Sequence, residues 1–515
     1  MLHFRSIWRI AAAAVVMAAT LHGQLFGALR PRFALAGPFG FAQGRLTKAS
    51  VATWSIAASA ASEPQILDAK IAAALREISA QRIQVNIEKL VSFGTRSTLS
   101  AQDSASIAAG RGIGAAREWI KAEFERTSKD CGGCLEVKTD SFIQEPADRI
   151  PRGTEITNVY AVLKGTDAAN AKRIVLVTGH YDSRNSDTLD VNGDAPGAND
   201  DGSGTAVSLE CARVLSKMKF PATIIFVAVA GEEQGLNGSH HFAQMVKDEG
   251  WDLEAVLNND IVGGDKSAEQ DHSVVRVFSE GVPAAATEQD LRRIRNLGGE
   301  SDSGSRQLAR YIAEVGREYD AGVKPVLVFR LDRYLRGGDH YSFNQQGFSA
   351  VRFTEFREDF HHQHQNVRTE SGIEYGDSLK FLDYDYVAHV ARLNAATLAS
   401  LAAGPAPPAN VHLLTKDLEN DSTLTWEASP GGLAAEYEVL WRATTSAEWE
   451  HSQNVGGATR ATLKVSKDNV ILSGRLLRVA NSHVSQNTRD MGHPTLRRVI
   501  TPFFNIPSKS EDYAG

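Results

Sequence analysis

Thr223–Ala230 reads TIIFVAVA, apolar at nearly every position and without alternation. A run of that length is too short for an ordinary helix and too uniformly apolar for a strand with one wet face, so it reads as a strand covered on both sides. Ile174–Thr178 has the same character, and Leu253–Leu257 opens a third such strand. Helical patterns lie between them, at Ala206–Met218 and around Phe242–Val246. The alternation continues with strands at Ile156–Lys164, Val274–Phe278, Val326–Phe329 and Ala350–Phe353, and with helices at Leu308–Val315 and Tyr384–Leu401. Strands separated by helices build a sheet with helices on both faces. The expected fold class is therefore α/β, with a mixed, mostly parallel sheet sandwiched by helices. In such sheets ligands bind beyond the carboxyl ends of the strands. This chain keeps its acidic and imidazole groups there.

At 515 residues the chain holds two or three domains. A net charge of −7 gives no basic footprint, which argues against a nucleic-acid partner. Arg5 and Arg9 followed by the apolar Ile10–Leu21 read as a signal peptide over residues 1–23, too short to span a bilayer, so the expected location is secreted or periplasmic. Residues 24–62 carry no periodicity and read as a disordered or processed segment; Ala58-Ser59-Ala60 would also suit a signal peptidase. A catalytic domain is expected over residues 65–403, opening on helical spacing at Ile71, Leu75 and Ile78, then Ile83, Ile87 and Leu90. Residues 404–408 (GPAPP) are a stiff linker. Beyond them the period changes to two, as in Tyr437–Trp441 (YEVLW), and residues 409–500 read as a small all-β sandwich, ill-defined after 472. With Trp426 in its second strand and Tyr437 in its third, this part resembles a fibronectin type III module, with surface or polymer contact as its expected role. Of three cysteines, Cys131 and Cys134 in CGGC suit a local bridge, and Cys211 reads as a small buried hydrophobe.

The chemistry-bearing residues follow the strands. His180 and Asp182 bracket one residue and, in extended backbone, face the same way. Asp200-Asp201-Gly202-Ser203-Gly204 opens a helix; Asp200 is the expected metal contact and Asp201 the local cap. Glu232 and Glu233 are adjacent carboxylates that repel unless a cation lies between them, which leaves one as ligand and the other as base. Asp260 ends the third strand, in Asn258-Asn259-Asp260. Asp339-His340 follows, and then His361, His362 and His364 crowd into one loop, a density that favours a metal. Singly, each motif is common on surface turns.

In their joint order, residues 65–403 resemble the co-catalytic zinc aminopeptidases of metallopeptidase family 28, of the secreted bacterial type. That resemblance implies the zinc exopeptidase fold and two Zn2+ ions. Asp200 would bridge them, His180 and Asp260 would complete one, and Glu233 with a late histidine the other. Glu232 would be the general base and Asp182 the carboxylate that orients His180. Family members place an Asp or similar residue four after the late histidine. By that rule His362, with Asn366 in the Asp position, is chosen over His361 and His364. Substrates would be peptides or proteins with a free N-terminus. A carboxypeptidase, a glutaminyl cyclase of the same fold with one zinc, and a non-catalytic binding protein are the alternatives.

Overall fold

Covering both faces of a strand requires its side chains to enter two different cores, and Thr223–Val229 does so. Ile224, Phe226 and Ala228 pack into one apolar cluster, while Ile225, Val227 and Val229 pack into another. The first cluster is the larger. It receives the apolar faces of helices Ala69–Leu75, Ala80–Val91, Gly112–Asp130, Gly202–Leu215, Gly304–Glu318 and Tyr384–Ala403. The second lies under helices Asn237–Asp248 and His340–Gln345, through Phe242, Val246 and Phe343. Burial of one such phenylalanine contributes roughly 1.5–3 kcal/mol, so a run filling both cores adds substantially to the stability of the sheet.

The computed structural model describes residues 68–416, 419–429, 436–479 and 496–500. The expected signal peptide over 1–23 and nearly all of the tail past 479 lie outside them, as does the segment 24–62. Eight strands form the main sheet: β1 (Leu135–Gln144), β2 (Thr154–Leu163), β3 (Arg173–His180), β4 (Thr223–Val229), β5 (Asp252–Asn259), β6 (Val274–Ser279), β7 (Lys324–Val328) and β8 (Ala350–Glu355). Their spatial order is β1-β2-β4-β3-β5-β8-β6-β7. The pairs β3–β4, β3–β5, β5–β8 and β6–β7 are parallel, and β1–β2, β2–β4 and β6–β8 antiparallel. The mixed, mostly parallel α/β sheet is as expected. Strand β1 is an addition: it is an edge strand, exposed along much of its length, and so lacks a continuous apolar run.

A short hairpin, β9 (Arg368–Glu370) and β10 (Ile373–Tyr375), projects between the late histidines and the closing helix. Past the linker, β11 (Ala409–Leu413), β12 (Ser422–Glu427) and a later strand (Arg460–Leu463) form one antiparallel sheet. Strands Glu436–Ala443, His451–Gly456, Val470–Val479 and Leu496–Ile500 form a second. Trp426 and Tyr437 meet between the sheets with ring centroids 5.5 Å apart. This small all-β part does not hang free. Arg442 is fully buried with Nη2 2.6 Å from Asp302 Oδ1, and Arg310 Nε donates to the Ala447 carbonyl at 2.6 Å. The Trp449 ring covers both guanidinium groups at 5.6 and 6.0 Å.

Candidate metal centre

The three central parallel strands β4-β3-β5 end side by side, and their carboxyl ends carry the expected residues. His180 is the last residue of β3, Glu232 and Glu233 lie in the turn after β4, and Asp260 follows β5 at once. The helix Gly202–Leu215 begins directly beside them because two glycines let backbones touch: a Cβ on Gly179 would collide with Gly204, and one on Gly204 with the Asn259 carbonyl. Asp201 caps that helix, accepting from Gly204 N–H at 2.9 Å. Its other oxygen accepts from the His180 N–H at 2.9 Å, so Asp201 serves local hydrogen bonding as expected.

Asp200 lies at the middle of the constellation. Its Oδ1 is 3.1 Å from His180 Nε2 and its Oδ2 2.9 Å from His364 Nε2. His364 Nε2 is also 3.1 Å from Glu233 Oε2. Three sets of donor atoms each lie within 4.8 Å of one another: His180, Glu232 and Asp260; Asp200, Glu233 and His364; and, sharing no residue with these, Asp265, Asp359 and His362. Asp182 lies beneath the first two. Its Oδ1 is 3.4 Å from His180 Nδ1, and its carboxylate accepts from the Glu232 N–H at 3.3 Å and the Glu233 N–H at 3.1 Å.

The choice of His362 does not hold in the geometry. His362 stacks on Phe381 with centroids 3.6 Å apart, and its Nδ1 is 2.5 Å from Asp265 Oδ2, away from Asp200 and Glu233. The residue that reaches them is His364. The β9–β10 hairpin follows His364, and beyond it stands a further carboxylate, Asp377, that spacing did not single out. Asp377 is buried and accepts from Asn199 N–H at 2.8 Å and from Asp200 N–H at 2.7 Å. Asn366, expected in the Asp role, instead accepts from Ser186 N–H at 2.9 Å.

Similarity to known proteins bears on this site. A family model described as peptidase family M28 matches residues 158–378. A probable zinc metalloprotease of Pyrenophora teres f. teres is 46% identical over 417 residues, covering 80% of this chain and 85% of that one. The chain belongs to peptidase family M28. A second probable zinc metalloprotease, from Leptosphaeria maculans, is 46% identical over 409 residues, covering 79% and 93%. These relatives of the M28 chain are fungal, where the motifs had resembled the bacterial type. Among solved structures the LapA aminopeptidase of Legionella pneumophila is similar at 21% identity and TM-score 0.46, over 65% of this chain and 75% of that one. The zinc aminopeptidase of Bacillus subtilis is similar at 16% identity and TM-score 0.44, over 62% and 94%. The chain is a zinc metallopeptidase, a hydrolase whose family acts on peptides or proteins. No helix among its described residues is long and apolar enough to cross a membrane.

The donor set of this M28 peptidase fits a zinc centre: imidazole nitrogens and carboxylate oxygens only. One of its buried atoms, Glu233 Oε1, makes no hydrogen bond to any described residue, which is costly for a group with nothing to bind. Without a cation the histidines take over its electrostatic task. Burial would depress His364, but Glu233 and Asp200 overcome it and push it up to about 10. Burial likewise opposes protonation of His180, and Asp182 and Asp200 hold it well above its ordinary value. Burial raises Glu232 well above the carboxylate range, opposed by His180 and reinforced by Asp260 and Glu233.

Three further residues carried no spacing signal. Arg96 is wholly buried and donates to the carbonyls of Tyr181, Leu90, Pro196 and Gly197 at 2.6–3.1 Å, fastening the segments on either side of His180 and Asp200. Arg352, on β8, is wholly buried with Nη2 2.9 Å from Asp260 Oδ1. Asp339, noted in sequence only as a neighbour of His340, is buried, with Ser239 beside its carboxylate and no ion pair to a cation among the described residues. Burial pushes it up to about 7.

Proposed function

We propose that this M28 peptidase is a secreted aminopeptidase that uses two zinc ions and a glutamate base. The observation that carries the reading is Asp200, whose two oxygens face two different histidines, His180 and His364. A carboxylate so placed suits a bridge between two ions. His180 and Asp260 would hold one, and Glu233 and His364 the other. Bound zinc would supply Lewis-acid polarisation of the scissile carbonyl and would lower the pKa of a bound water toward ~7.

The protein's own groups supply the rest. Glu232 is the one carboxylate of the pair left partly open to the cleft. It takes the proton of the attacking water and passes it to the departing amine. Its raised pKa suits it to hold that proton in between. Asp182 orients His180 and fixes the Glu232–Glu233 turn through both backbone N–H groups. The free α-amine of a substrate would sit near Glu232 and the neighbouring Asp339, which gives exopeptidase action at a free N-terminus.

The Cys131–Cys134 disulfide supports an oxidising compartment, secreted or periplasmic, in line with the apolar N-terminal run. For the C-terminal part, two antiparallel sheets around Trp426 and Tyr437 support a fibronectin type III-like module, with surface or polymer contact as its role.

Metal analysis of the purified protein, paired with a panel of aminoacyl anilides and N-terminal glutaminyl peptides, tests the proposal. Two zincs per chain and chelator-sensitive anilide hydrolysis are expected. One zinc with cyclisation of glutaminyl peptides, or release of C-terminal residues only, would overturn it.

A further inference from the structure

The metal centre is polar in the electrical sense. On one side lie Glu232 and Asp339, the carboxylates assigned above to the substrate amine; Asp260 beside them is already paired with Arg352, whose Nη2 is 2.9 Å from its Oδ1. On the other, beside Glu233, stands a cation. Arg184 Nε is 3.9 Å from Glu233 Oε2, and the side chain is only 15% exposed.

That contact is a poor ion pair. Nε already donates to the Asn185 carbonyl at 3.2 Å, and the two Nη nitrogens have no partner among the described residues. An arginine placed to neutralise a carboxylate offers its planar fork, with two parallel N–H groups. Here the approach to Glu233 is through Nε alone, at 3.9 Å. Glu233 is also shared with His364 and belongs to the metal donor set, so its charge is spoken for.

The segment bearing Arg184 is fixed. Ser183 Oγ donates to the Ala195 carbonyl at 2.7 Å and accepts from Arg96 N–H at 3.1 Å. Two residues on, Ser186 N–H donates to Asn366 Oδ1, and Asn366 N–H returns to Ser186 Oγ. A mostly buried, pre-positioned guanidinium with a free fork is suited to a planar anion.

We propose that Arg184 binds a carboxylate of the substrate on the leaving-group side of the scissile bond. It makes short peptides with a carboxylate close behind that bond the substrate class of this enzyme. This rests on the aminopeptidase reading above. A dipeptide carries an amine and a carboxylate on opposite sides of its one peptide bond, matching the acidic side and the Arg184 side of the site. The same chemistry comes from a free C-terminus or from an acidic side chain in the residue after the bond.

The test uses zinc-loaded protein and two matched substrate pairs: Leu-Gly against Leu-Gly-amide, and Leu-Glu-amide against Leu-Gln-amide. The wild type is expected to favour the carboxylate-bearing member of at least one pair by about tenfold in kcat/KM, and the pair affected identifies the source. Arg184→Gln should reduce that preference to less than about threefold, mainly through KM, with zinc content and melting temperature unchanged. Arg184→Lys should keep part of it, because a point charge replaces a fork. Absence of a preference in the wild type, or its survival in Arg184→Gln, overturns the proposal while leaving the aminopeptidase reading intact. Calorimetric binding of Leu-Gly and Leu-Gly-amide to zinc-loaded Glu232→Gln separates the opposite case. Arg184-dependent selectivity there, with no cleavage of any peptide by the wild type, would retain carboxylate recognition and sink the aminopeptidase reading.

Discussion

His364 Nε2 lies 2.9 Å from Asp200 Oδ2, whereas His362, two residues earlier in the same loop, is turned to Asp265. The two histidines are therefore separable by mutation. His364→Ala is expected to remove one zinc and reduce turnover by at least 100-fold. His362→Ala should keep both ions, with an effect of less than about tenfold through loosening of the loop. Metal analysis of the two variants checks this, and the reverse outcome would return His362 to the ligand set.

Glu232→Gln retains shape and removes the base. Turnover should fall by about 10²–10⁴-fold, with zinc content unchanged. If the variant keeps near wild-type kcat, another group takes the proton.

Asp377 belongs to none of the donor sets, yet it holds the Asn199 and Asp200 backbone N–H groups. Asp377→Asn leaves one acceptor for the two N–H groups it now serves and should weaken zinc binding by about 10–100-fold. Competition with a chromogenic chelator measures it. An unchanged affinity would reduce Asp377 to a folding role.

Arg96→Met buries a similar length of chain but strands four carbonyls. A loss of roughly 3–5 kcal/mol is expected, read as a lower midpoint in urea for the metal-free protein. A change under about 1 kcal/mol would mean that the surrounding loops hold themselves.

Zinc affinity should rise with pH. His364 is pushed up to about 10 in the metal-free protein, burial opposing and Glu233 and Asp200 prevailing. Below about 10 an arriving ion must displace that proton, so each pH unit gained relieves the competition by ~10-fold per proton released, and the gain flattens above about 10. Chelator competition at pH 6.5, 7.5 and 8.5 gives the slope. Affinity independent of pH across that range would contradict the protonated state.

Strands β3 and β4 were legible because burial on both faces keeps their centres apolar, and β5 because only Glu254, paired with Arg173, interrupts Leu253–Leu257; the polar motifs at their ends stood out against these runs. Strand β1 was not, since an exposed edge strand tolerates a mixed sequence. His180, Asp200, Glu232, Glu233 and Asp260 announce themselves by adjacency to those strands. His364 does not: three histidines in one loop are equivalent until the chain's path is known. Arg96, Arg184 and Arg352 are single arginines in a loop or a strand, with nothing periodic about them, so their placement is information that only three dimensions hold.

The β9–β10 hairpin has its two ends pinned at His364 and Asp377 while most of its strand residues are exposed. It works like the bail of a padlock, with both feet fixed and the bow free to vary. Insertions or exchanges at Ser371-Gly372, where the chain turns with positive φ, would leave the spacing of the feet unchanged. The hairpin is therefore a position where this lineage, or an engineer, could reshape the surroundings of the cleft without disturbing the chemistry at its floor.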